Sequence, residues 1–249
     1  MSFKDHFSAL ATGYASFRPV YPDALYAWLA QQTPGRTLAW DCAAGSGQAA
    51  IGLAEHFDQV IATDASAGQI ENAYRHARVR YAVAPAEDSG LAARSVDLVS
   101  VAQALHWFDL ERFYAEVRRV LRPDGLLAVW TYNLFRTDID ALDTLVDHLY
   151  GEVLGPWWPS ERRLVENGYR DLPFPFTEIT VPAFEMRTEW DLAHLLGYLR
   201  TWSAVKRYRE ACGVDPVQAM ADALGAASGA HQRLSVRWPL ALRVGRCAP

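Results

Sequence analysis

Hydrophobic positions in the first half of the chain follow two alternating patterns. Short runs of β-branched and other apolar residues predict strands over 37–41, 60–64, 79–83, 96–102 and 126–131. Between them, apolar residues recur every three or four positions, which predicts helices over 47–57, 67–77 and 109–121. Strands that alternate with helices in this way predict a parallel sheet flanked by helices.

The pattern changes after Asn133. A predicted helix at about 138–154 ends at Gly155-Pro-Trp-Trp-Pro159, because proline cannot continue a helix. The remaining elements are a strand at 177–181, helical material over 188–228 and a last strand over 235–244. Pro239 within that last strand indicates an edge strand or a bulge. We expect a single domain that consists of an N-terminal appendage (1–34), a core (35–182), a helical cover (183–235) and the last strand (236–249).

The composition argues against several classes of protein. With 249 residues, 51% apolar and 21% charged, the chain is typical of a soluble globular protein. Its 24 basic and 29 acidic residues give a net charge of −5, which argues against general nucleic-acid binding. No apolar run approaches the ~18 residues of a membrane span, and the start lacks the layout of a signal peptide. We therefore expect a cytoplasmic protein whose partner is a small molecule.

The spacing of cysteines and histidines gives no signal for a disulfide or a metal. Cys42, Cys212 and Cys247 lie far apart and form no CxxC pair, as in a reduced chain. The histidines are at least 20 positions apart, so no local pair has metal-ligand spacing. We predict a site that holds no metal.

A glycine-rich turn follows the first predicted strand, in the segment Asp41-Cys-Ala-Ala-Gly-Ser-Gly47. Because Gly45 and Gly47 have no side chains, a ligand can approach the backbone at these positions. The next helix also begins there with unpaired N–H groups. A tight strand-to-helix turn explains such a loop equally well. Asp64 changes this balance, because at the end of the second strand its carboxylate can accept hydrogen bonds from both hydroxyls of a ribose.

Acidic residues also follow the third strand, in Pro85-Ala-Glu-Asp88. They could accept a hydrogen bond from an adenine amino group, and a solvated loop is the alternative. Glycine and acids at three strand ends together predict an adenosine site at the carboxyl edge of the sheet. The loop is a poor dinucleotide fingerprint, because Ala50 stands at the third glycine position. A nucleoside without phosphates is therefore favoured, and a nucleotide-dependent oxidoreductase is the rival.

Residues 37–131 resemble the class I S-adenosylmethionine-dependent methyltransferases. In that resemblance the glycine loop faces the methionine end of the cofactor, Asp64 binds the ribose, and Ala86-Glu87-Asp88 forms the adenine loop. Residues 95–101 resemble the fourth strand, and Leu121-Arg-Pro-Asp-Gly-Leu126 resembles the turn before the fifth. Ala43 is a departure, since the family usually has glycine there. Alanine fits that position easily if its backbone φ stays negative.

The resemblance implies a Rossmann-like α/β fold of seven mostly parallel strands, with helices on both faces and the last strand antiparallel. It places the 1–34 appendage over the cofactor and the 183–235 segment over the substrate. The cofactor is S-adenosylmethionine. The cofactor-binding residues that it implies are Tyr14, Arg18, Asp41, Ala43, Gly45, Gly47, Asp64, Ala65, Ala86, Glu87, Ala102 and Gln103.

The outer segments resemble a narrower group, the trans-aconitate methyltransferase-like (methyltransferase type 11) enzymes. This resemblance rests on Tyr14-Ala-Ser-Phe-Arg-Pro-Val-Tyr-Pro22, Gln103-Ala-Leu-His-Trp-Phe108 and Tyr198-Leu-Arg-Thr-Trp-Ser203. It implies methyl esterification of a small organic acid. A catalytically silent protein that binds S-adenosylmethionine is a further rival.

The acceptor site is predicted from residues after the fourth strand and from the cover. His106 could orient an acid or act as base for a hydroxyl, and a histidine with only local hydrogen bonds is the alternative. In the cover, Arg200, Lys206 and Arg207 bring positive charge close to aromatic residues. Arginine matches a carboxylate with two parallel hydrogen bonds, although core packing is the alternative for Trp202. The predicted substrate residues are His106, Trp107, Tyr132, Arg200 and Trp202, with His106 as the catalytic residue.

Overall fold

The computed structural model describes residues 19–247, which contain a mixed sheet and the helices that cover it. Its strands are β1 (Leu38–Cys42), β2 (Gln59–Asp64), β3 (Val79–Val83), β4 (Val96–Ala102), β5 (Leu121–Tyr132), β6 (Arg136–Thr137), β7 (Thr177–Glu178), β8 (Glu185–Trp190) and β9 (Leu234–Arg246). Its helices are α1 (Asp23–Gln32), α2 (Gln48–Ala54), α3 (Ala67–Glu71), α4 (Leu110–Val120), α5 (Asp140–His148), α6 (Arg162–Glu166), α7 (Leu192–Arg200), α8 (Ser203–Cys212), α9 (Pro216–Ala219) and α10 (Ala221–Ser228). Short 3₁₀ turns lie at Leu105–Trp107 and Gly155–Trp157, and a π-helical turn lies at Leu149–Val153.

The central sheet has the strand order β3-β2-β1-β4-β5-β9, and β7 pairs with the other side of β9. All pairs from β3 to β5 are parallel, whereas β9 runs antiparallel to β5. Because β2 and β4 lie on opposite sides of β1, a crevice opens at the carboxyl ends of β1 and β4, where open α/β sheets bind ligands. These seven strands confirm the predicted Rossmann-like sheet with an antiparallel last strand.

β9 is longer than predicted, and it is not an edge strand. Its first half pairs with β8 and its second half, from Leu240, pairs with β5. The Leu240 amide donates to the Phe184 carbonyl at 2.9 Å, so the neighbouring Pro239 directs its backbone nitrogen to the opposite side. On that side the register with β6 ends at Arg237 and the register with β5 begins at Leu240. The edge placement was wrong, because Pro239 lies at an interruption between two partners of an interior strand.

Two segments depart from the predicted helices. Ser66 caps α3 and accepts from the Gln69 amide at 3.4 Å, but the helix ends at Glu71, well short of the predicted residue 77. The Tyr74 amide donates instead to the Ser46 carbonyl at 3.0 Å, which draws the segment after α3 onto the glycine loop. The cover, predicted to be helical from 188, begins with β8, because its backbone pairs with β9.

The sheet is buried on both faces, which is why its strands are apolar without alternation. Along β4, Leu98 packs in one cluster with Leu53 and Trp130, and the next residue, Val99, packs in a second cluster with Phe113. Helices α1 and α2 cover the first face and α4 covers the second. Each large apolar side chain buried in this way stabilises the folded chain by ~1.5–3 kcal/mol. The loops at the carboxyl edge are therefore anchored to a rigid sheet. No helix among residues 19–247 is long and apolar enough to cross a membrane.

Candidate active site

The glycine loop joins β1 to α2 through two residues in the left-handed region. Gly45 has φ of 56° and Gly47 has φ of 86°. A Cβ atom on Gly47 would lie 2.2 Å from the Tyr81 hydroxyl, so both the backbone angle and the available space require glycine there. At Gly45, the nearest atom of the described residues to such a Cβ is Gln69 Oε1, at 3.8 Å. The loop therefore turns tightly and leaves an open surface at Gly45.

Ala43 adopts a positive φ of 54°, so the condition under which alanine fits this position easily is not met. The left-handed conformation costs an L-residue roughly 1–2 kcal/mol. The loop holds it there because the next amide, of Ala44, donates to the Thr63 carbonyl of β2 at 2.9 Å. The chain thus keeps the backbone path of a glycine at this position while carrying an alanine.

Asp64, at the end of β2, is fixed by two backbone hydrogen bonds. Its Oδ2 accepts from the Gly45 amide at 2.9 Å and its Oδ1 accepts from the Ser66 amide at 2.8 Å. Because each carboxylate oxygen can accept more than one hydrogen bond, the half-buried side chain can still bind a pair of hydroxyls. Ala65 follows as an exposed residue. The structure thus brings Gly45 and Asp64 together, as the sequence predicted for neighbouring strand ends.

Asp41 lies behind the glycine loop and is fully buried. Its Oδ1 accepts from the Ser100 hydroxyl at 2.8 Å, and its buried Oδ2 makes no hydrogen bond of good geometry within residues 19–247. Burial raises the pKa of Asp41 to about 7, although the Ser100 hydroxyl and the Ala50 amide act in the opposite direction. Asp41 is thus placed to support the loop from below.

The predicted adenine loop is tied to α4. Ala86 is buried, and Glu87 accepts through Oε1 from the Asp109 amide at 2.9 Å. Asp109 in turn caps α4 by accepting from the Arg112 amide at 3.3 Å. The loop is therefore held in place beside the crevice, and one oxygen of Glu87 has a structural partner.

Gln103 joins the carboxyl ends of β4 and β5. It follows the half-buried Ala102 and has a positive φ of 62°. Its Nε2 donates to the Tyr132 carbonyl at 3.1 Å, and its Oε1 accepts from the Thr131 hydroxyl at 2.6 Å. A positive φ in a residue other than glycine is uncommon and often marks a functional site. The structure thus brings two predicted site residues, Gln103 and Tyr132, into direct contact.

His106 lies in the turn after β4, with its Nδ1 3.0 Å from the Tyr169 hydroxyl. Burial, and next the positive charge of Arg162, lower the pKa of His106 to about 4. The imidazole is therefore neutral at physiological pH. Trp107 packs against it, with ring centroids 4.7 Å apart, and remains 43% exposed.

Arg162, in α6, lies within a group of aromatic rings near His106. Its guanidinium stacks over the rings of Tyr150 and Trp158, 5.3 and 5.0 Å from their centroids. Its Nε donates to the Tyr150 hydroxyl at 2.6 Å and its Nη2 donates to Asn133 Oδ1 at 2.7 Å. Trp202 closes the group, 5.7 Å from the rings of both Tyr150 and Trp158. We refer to Arg162, Asn133, Tyr150, Trp158 and Trp202 as the arginine cluster.

The basic residues predicted in the cover have other partners. Arg200 pairs with Asp215 at 2.9 Å and also donates to Gln218 at 2.9 Å. Lys206 lies 4.0 Å from Glu210, and Arg207 donates to the Trp157 carbonyl at 3.4 Å. Their predicted role remains a prediction, and so do those of Tyr14 and Arg18, which lie outside the described residues.

Comparison with known proteins assigns the chain to a family. A methyltransferase-domain profile matches residues 40–129. A protein of Dictyostelium discoideum that is named as a methyltransferase is 36% identical over 216 residues, which span 86% of this chain and 82% of the relative. The chain belongs to the methyltransferase family. This decides against the oxidoreductase alternative.

Two further relatives describe the methyltransferase more closely. A solved structure, described as a type II methyltransferase of Anaeromyxobacter dehalogenans, is 52% identical and has a TM-score of 0.89, covering 93% of this chain and 99% of that one. A Saccharomyces cerevisiae protein named as an S-adenosylmethionine-dependent methyltransferase is 34% identical over 128 residues, 48% of this chain and 44% of that protein. The methyl donor is S-adenosylmethionine. The narrower trans-aconitate-like resemblance stays a prediction.

The residues of the methyltransferase fit this cofactor. The backbone at Gly45 is open to close approach, and Asp64 presents a fixed carboxylate one strand away. A nucleoside sulfonium needs these two features, a bare backbone for its amino-acid end and hydrogen-bond acceptors for its ribose. Within residues 19–247, no group of three or more side chains is arranged to hold a metal ion.

Arg162 and Tyr169 were missed from the sequence. They lie in and just after α6, in a segment where no helix or strand had been predicted. The available signal was the charged run that follows Trp157 and Trp158, since arginine beside aromatic residues often forms a stacked cluster. Nothing in the local pattern indicated that this segment would fold over His106.

Proposed function

We propose that the methyltransferase acts on a small anionic acid and forms a methyl ester at its carboxylate. The observation that carries this proposal is the environment of His106, which is half-buried and hydrogen-bonded through Nδ1 to Tyr169. An imidazole whose pKa is near 4 is a weak base at neutral pH, so it gives little help to an acceptor that must lose a proton. A carboxylate is already ionised at that pH and needs only to be positioned.

Positioning supplies much of the rate in this kind of reaction. S-adenosylmethionine supplies an electrophilic methyl carbon when it is bound. The glycine loop and Asp64 would hold the donor, while Ala102 and Gln103 line the end of β4 next to them. A carboxylate oxygen of the acceptor gives an electron pair to the methyl carbon, and the pair of the broken carbon–sulfur bond stays on sulfur. The step therefore moves no proton, and His106 and Trp107 would orient the acceptor.

The surrounding segments complete the proposal. The cover contributes Trp202 to the aromatic group around Arg162, which supports a role for 183–235 on the substrate side. We place the 1–34 appendage over the cofactor, and within it α1 packs on the same face as α2. The free cysteines and the net charge of −5 support a cytoplasmic enzyme that acts on a small molecule rather than on nucleic acid.

The test is methyl transfer from labelled S-adenosylmethionine to a panel of small carboxylic acids, with the amide of each acid and a set of phenols as controls. We expect base-labile labelled esters from acids and no product from amides. Rates with acids should change little between about pH 6 and 8, since the nucleophile is ionised throughout. His106→Ala should lower kcat about tenfold while cofactor affinity stays unchanged. Transfer to phenols but not to acids would contradict the proposal.

A further inference from the structure

We propose that Arg162, rather than a basic residue of the cover, binds the carboxylate group of the acceptor. This inference rests on the proposed function and names the residue that gives the site its preference for an anion. The observation behind it is a partly buried guanidinium that is held in a fixed plane beside Asn133, at the end of β5, and keeps unused donors.

The arginine cluster holds the guanidinium in one orientation. The rings of Tyr150 and Trp158 lie 5.3 and 5.0 Å from its central carbon, and Tyr150 and Asn133 each accept one of its hydrogen bonds. A guanidinium that is fixed before a ligand arrives loses little side-chain entropy on binding. Its planar fork also matches the two oxygens of a carboxylate.

Three of the five N–H groups of Arg162 can serve a ligand. The hydrogen bonds seen within residues 19–247 use Nε and one N–H of Nη2, which leaves the second N–H of Nη2 and both of Nη1. The side chain is 24% exposed, so a small acid can reach it from solvent. Asn133, which accepts from Nη2, directly follows β5, and the Tyr132 carbonyl before it accepts from Gln103 at the end of β4. The guanidinium therefore lies at the carboxyl edge of the sheet.

The charge of Arg162 is only partly neutralised. Asn133 and Tyr150 are neutral acceptors, and the nearest acid, Glu166, lies 3.9 Å from Nε and also accepts from the Tyr150 hydroxyl. Arg200, in contrast, has the carboxylate of Asp215 at 2.9 Å from its Nε and an amide oxygen at its Nη2. The ion pair of Arg200 connects α7 to α9, so the charge of this guanidinium is neutralised within the fold.

The rival explanation is that Arg162 only holds the aromatic rings together. The two explanations differ in a measurable way, because a purely structural role would affect charged and uncharged ligands alike. A ligand-binding role would affect carboxylates and leave their amides unchanged. The matched control is Arg200, which has the same side chain and a comparable exposure of 33%.

The experiment measures binding without turnover. The full chain is saturated with S-adenosylhomocysteine and titrated by calorimetry with small aliphatic and aromatic carboxylates and with the amide of each. We expect at least one acid to bind at least tenfold more tightly than its amide. Arg162→Gln should lower the affinity for that acid about ten- to hundredfold and leave the affinities for the amide and for S-adenosylhomocysteine unchanged. Arg162→Lys should lower the affinity for the acid by an intermediate amount. Arg200→Gln should bind the acid as tightly as the wild type does.

Three results would overturn the assignment: equal binding of acids and amides, an Arg162→Gln variant with wild-type affinity, or a loss confined to Arg200→Gln. If Arg162→Gln unfolds, Arg162→Lys decides, because it keeps the charge and removes the fork. If an acid binds through Arg162 and no ester forms, only the proposed function fails. If esters form and the Arg162 variants bind the acid normally, only this inference fails.

Discussion

The cofactor side of the active site is assembled from residues close in sequence, and the acceptor side from residues far apart. Asp64 accepts from the Gly45 amide, 19 positions earlier in the chain. Gly45 follows β1 and Asp64 ends β2, and these two strands are neighbours in the sheet. His106 meets Tyr169 across 63 positions, through a segment that folds over the sheet. The first side depends on backbone geometry, whereas the second depends on how side chains pack. Variants on the two sides should therefore fail in different ways.

The largest effect is expected at Gly47, where the loop has no room for a side chain. Gly47→Ala would place a methyl group 2.2 Å from the Tyr81 hydroxyl at a φ of 86°. We expect the free energy of unfolding to fall by about 2–4 kcal/mol, from the backbone penalty and the crowding together. Chemical denaturation measures this, and Gly151→Ala, at an exposed glycine with open space around it, is the control. A Gly47→Ala variant as stable as Gly151→Ala would show that the loop is not rigid.

The second effect concerns cofactor affinity. Asp64→Ala removes the acceptor for the Gly45 and Ser66 amides and the predicted acceptor for the ribose. We expect the affinity for S-adenosylhomocysteine, measured by calorimetry, to fall by about ten- to hundredfold, as for the loss of hydrogen bonds to a charged group. Asp58→Ala, at an exposed acid just before β2, should leave it unchanged. If Asp64→Ala kept wild-type affinity, Asp64 would not be the residue that binds the ribose.

The same contrast explains what could be predicted from the sequence. Gly45 and Asp64 follow predicted strands, and parallel strands bring their carboxyl ends to one edge, so their contact followed from local pattern alone. Arg162 follows a proline- and tryptophan-rich stretch without periodicity, and its position beside Asn133 at the end of β5 depends on tertiary packing of α6. Arg200 looked suitable because it is close to aromatic residues in sequence. Its pairing with Asp215 depends on how α7 and α9 meet, which no local pattern encodes.

The third effect distinguishes the two sides by the direction in which pH changes their contribution to the stability of the fold. On the cofactor side, burial raises the pKa of Asp41 from 3.8 to about 7, so its contribution to stability is present below pH 3.8 and is lost as pH rises through 7. On the acceptor side, the pKa of His106 is lowered from 6.5 to about 4, so its contribution is present above pH 6.5 and is lost as pH falls through 4.

Denaturation curves of Asp41→Asn and His106→Gln, recorded at several pH values, test these two opposite pH dependences. As pH rises from about 5 to 8, the free energy of unfolding should fall less in Asp41→Asn than in the wild type. As pH falls from about 7 to 5, it should fall less in His106→Gln than in the wild type. Each difference should be on the order of 2 kcal/mol. Parallel curves for a variant and the wild type would show that the residue's pKa is the same in the folded and unfolded chain.

The smallest effect is expected at Ala43, where this methyltransferase departs from a glycine. Its φ of 54° costs an alanine roughly 1–2 kcal/mol, and glycine removes that cost while adding about 0.4–1 kcal/mol of unfolded-chain entropy. Ala43→Gly should therefore stabilise the fold by about 0.5–1 kcal/mol, seen as a higher melting temperature. Ala44→Gly, next in the same loop, should instead destabilise it, because Ala44 gains no relief of strain to offset the added entropy. If both substitutions destabilise equally, Ala43 is not strained, and the backbone of the glycine loop is less fixed than its hydrogen bonds to β2 indicate.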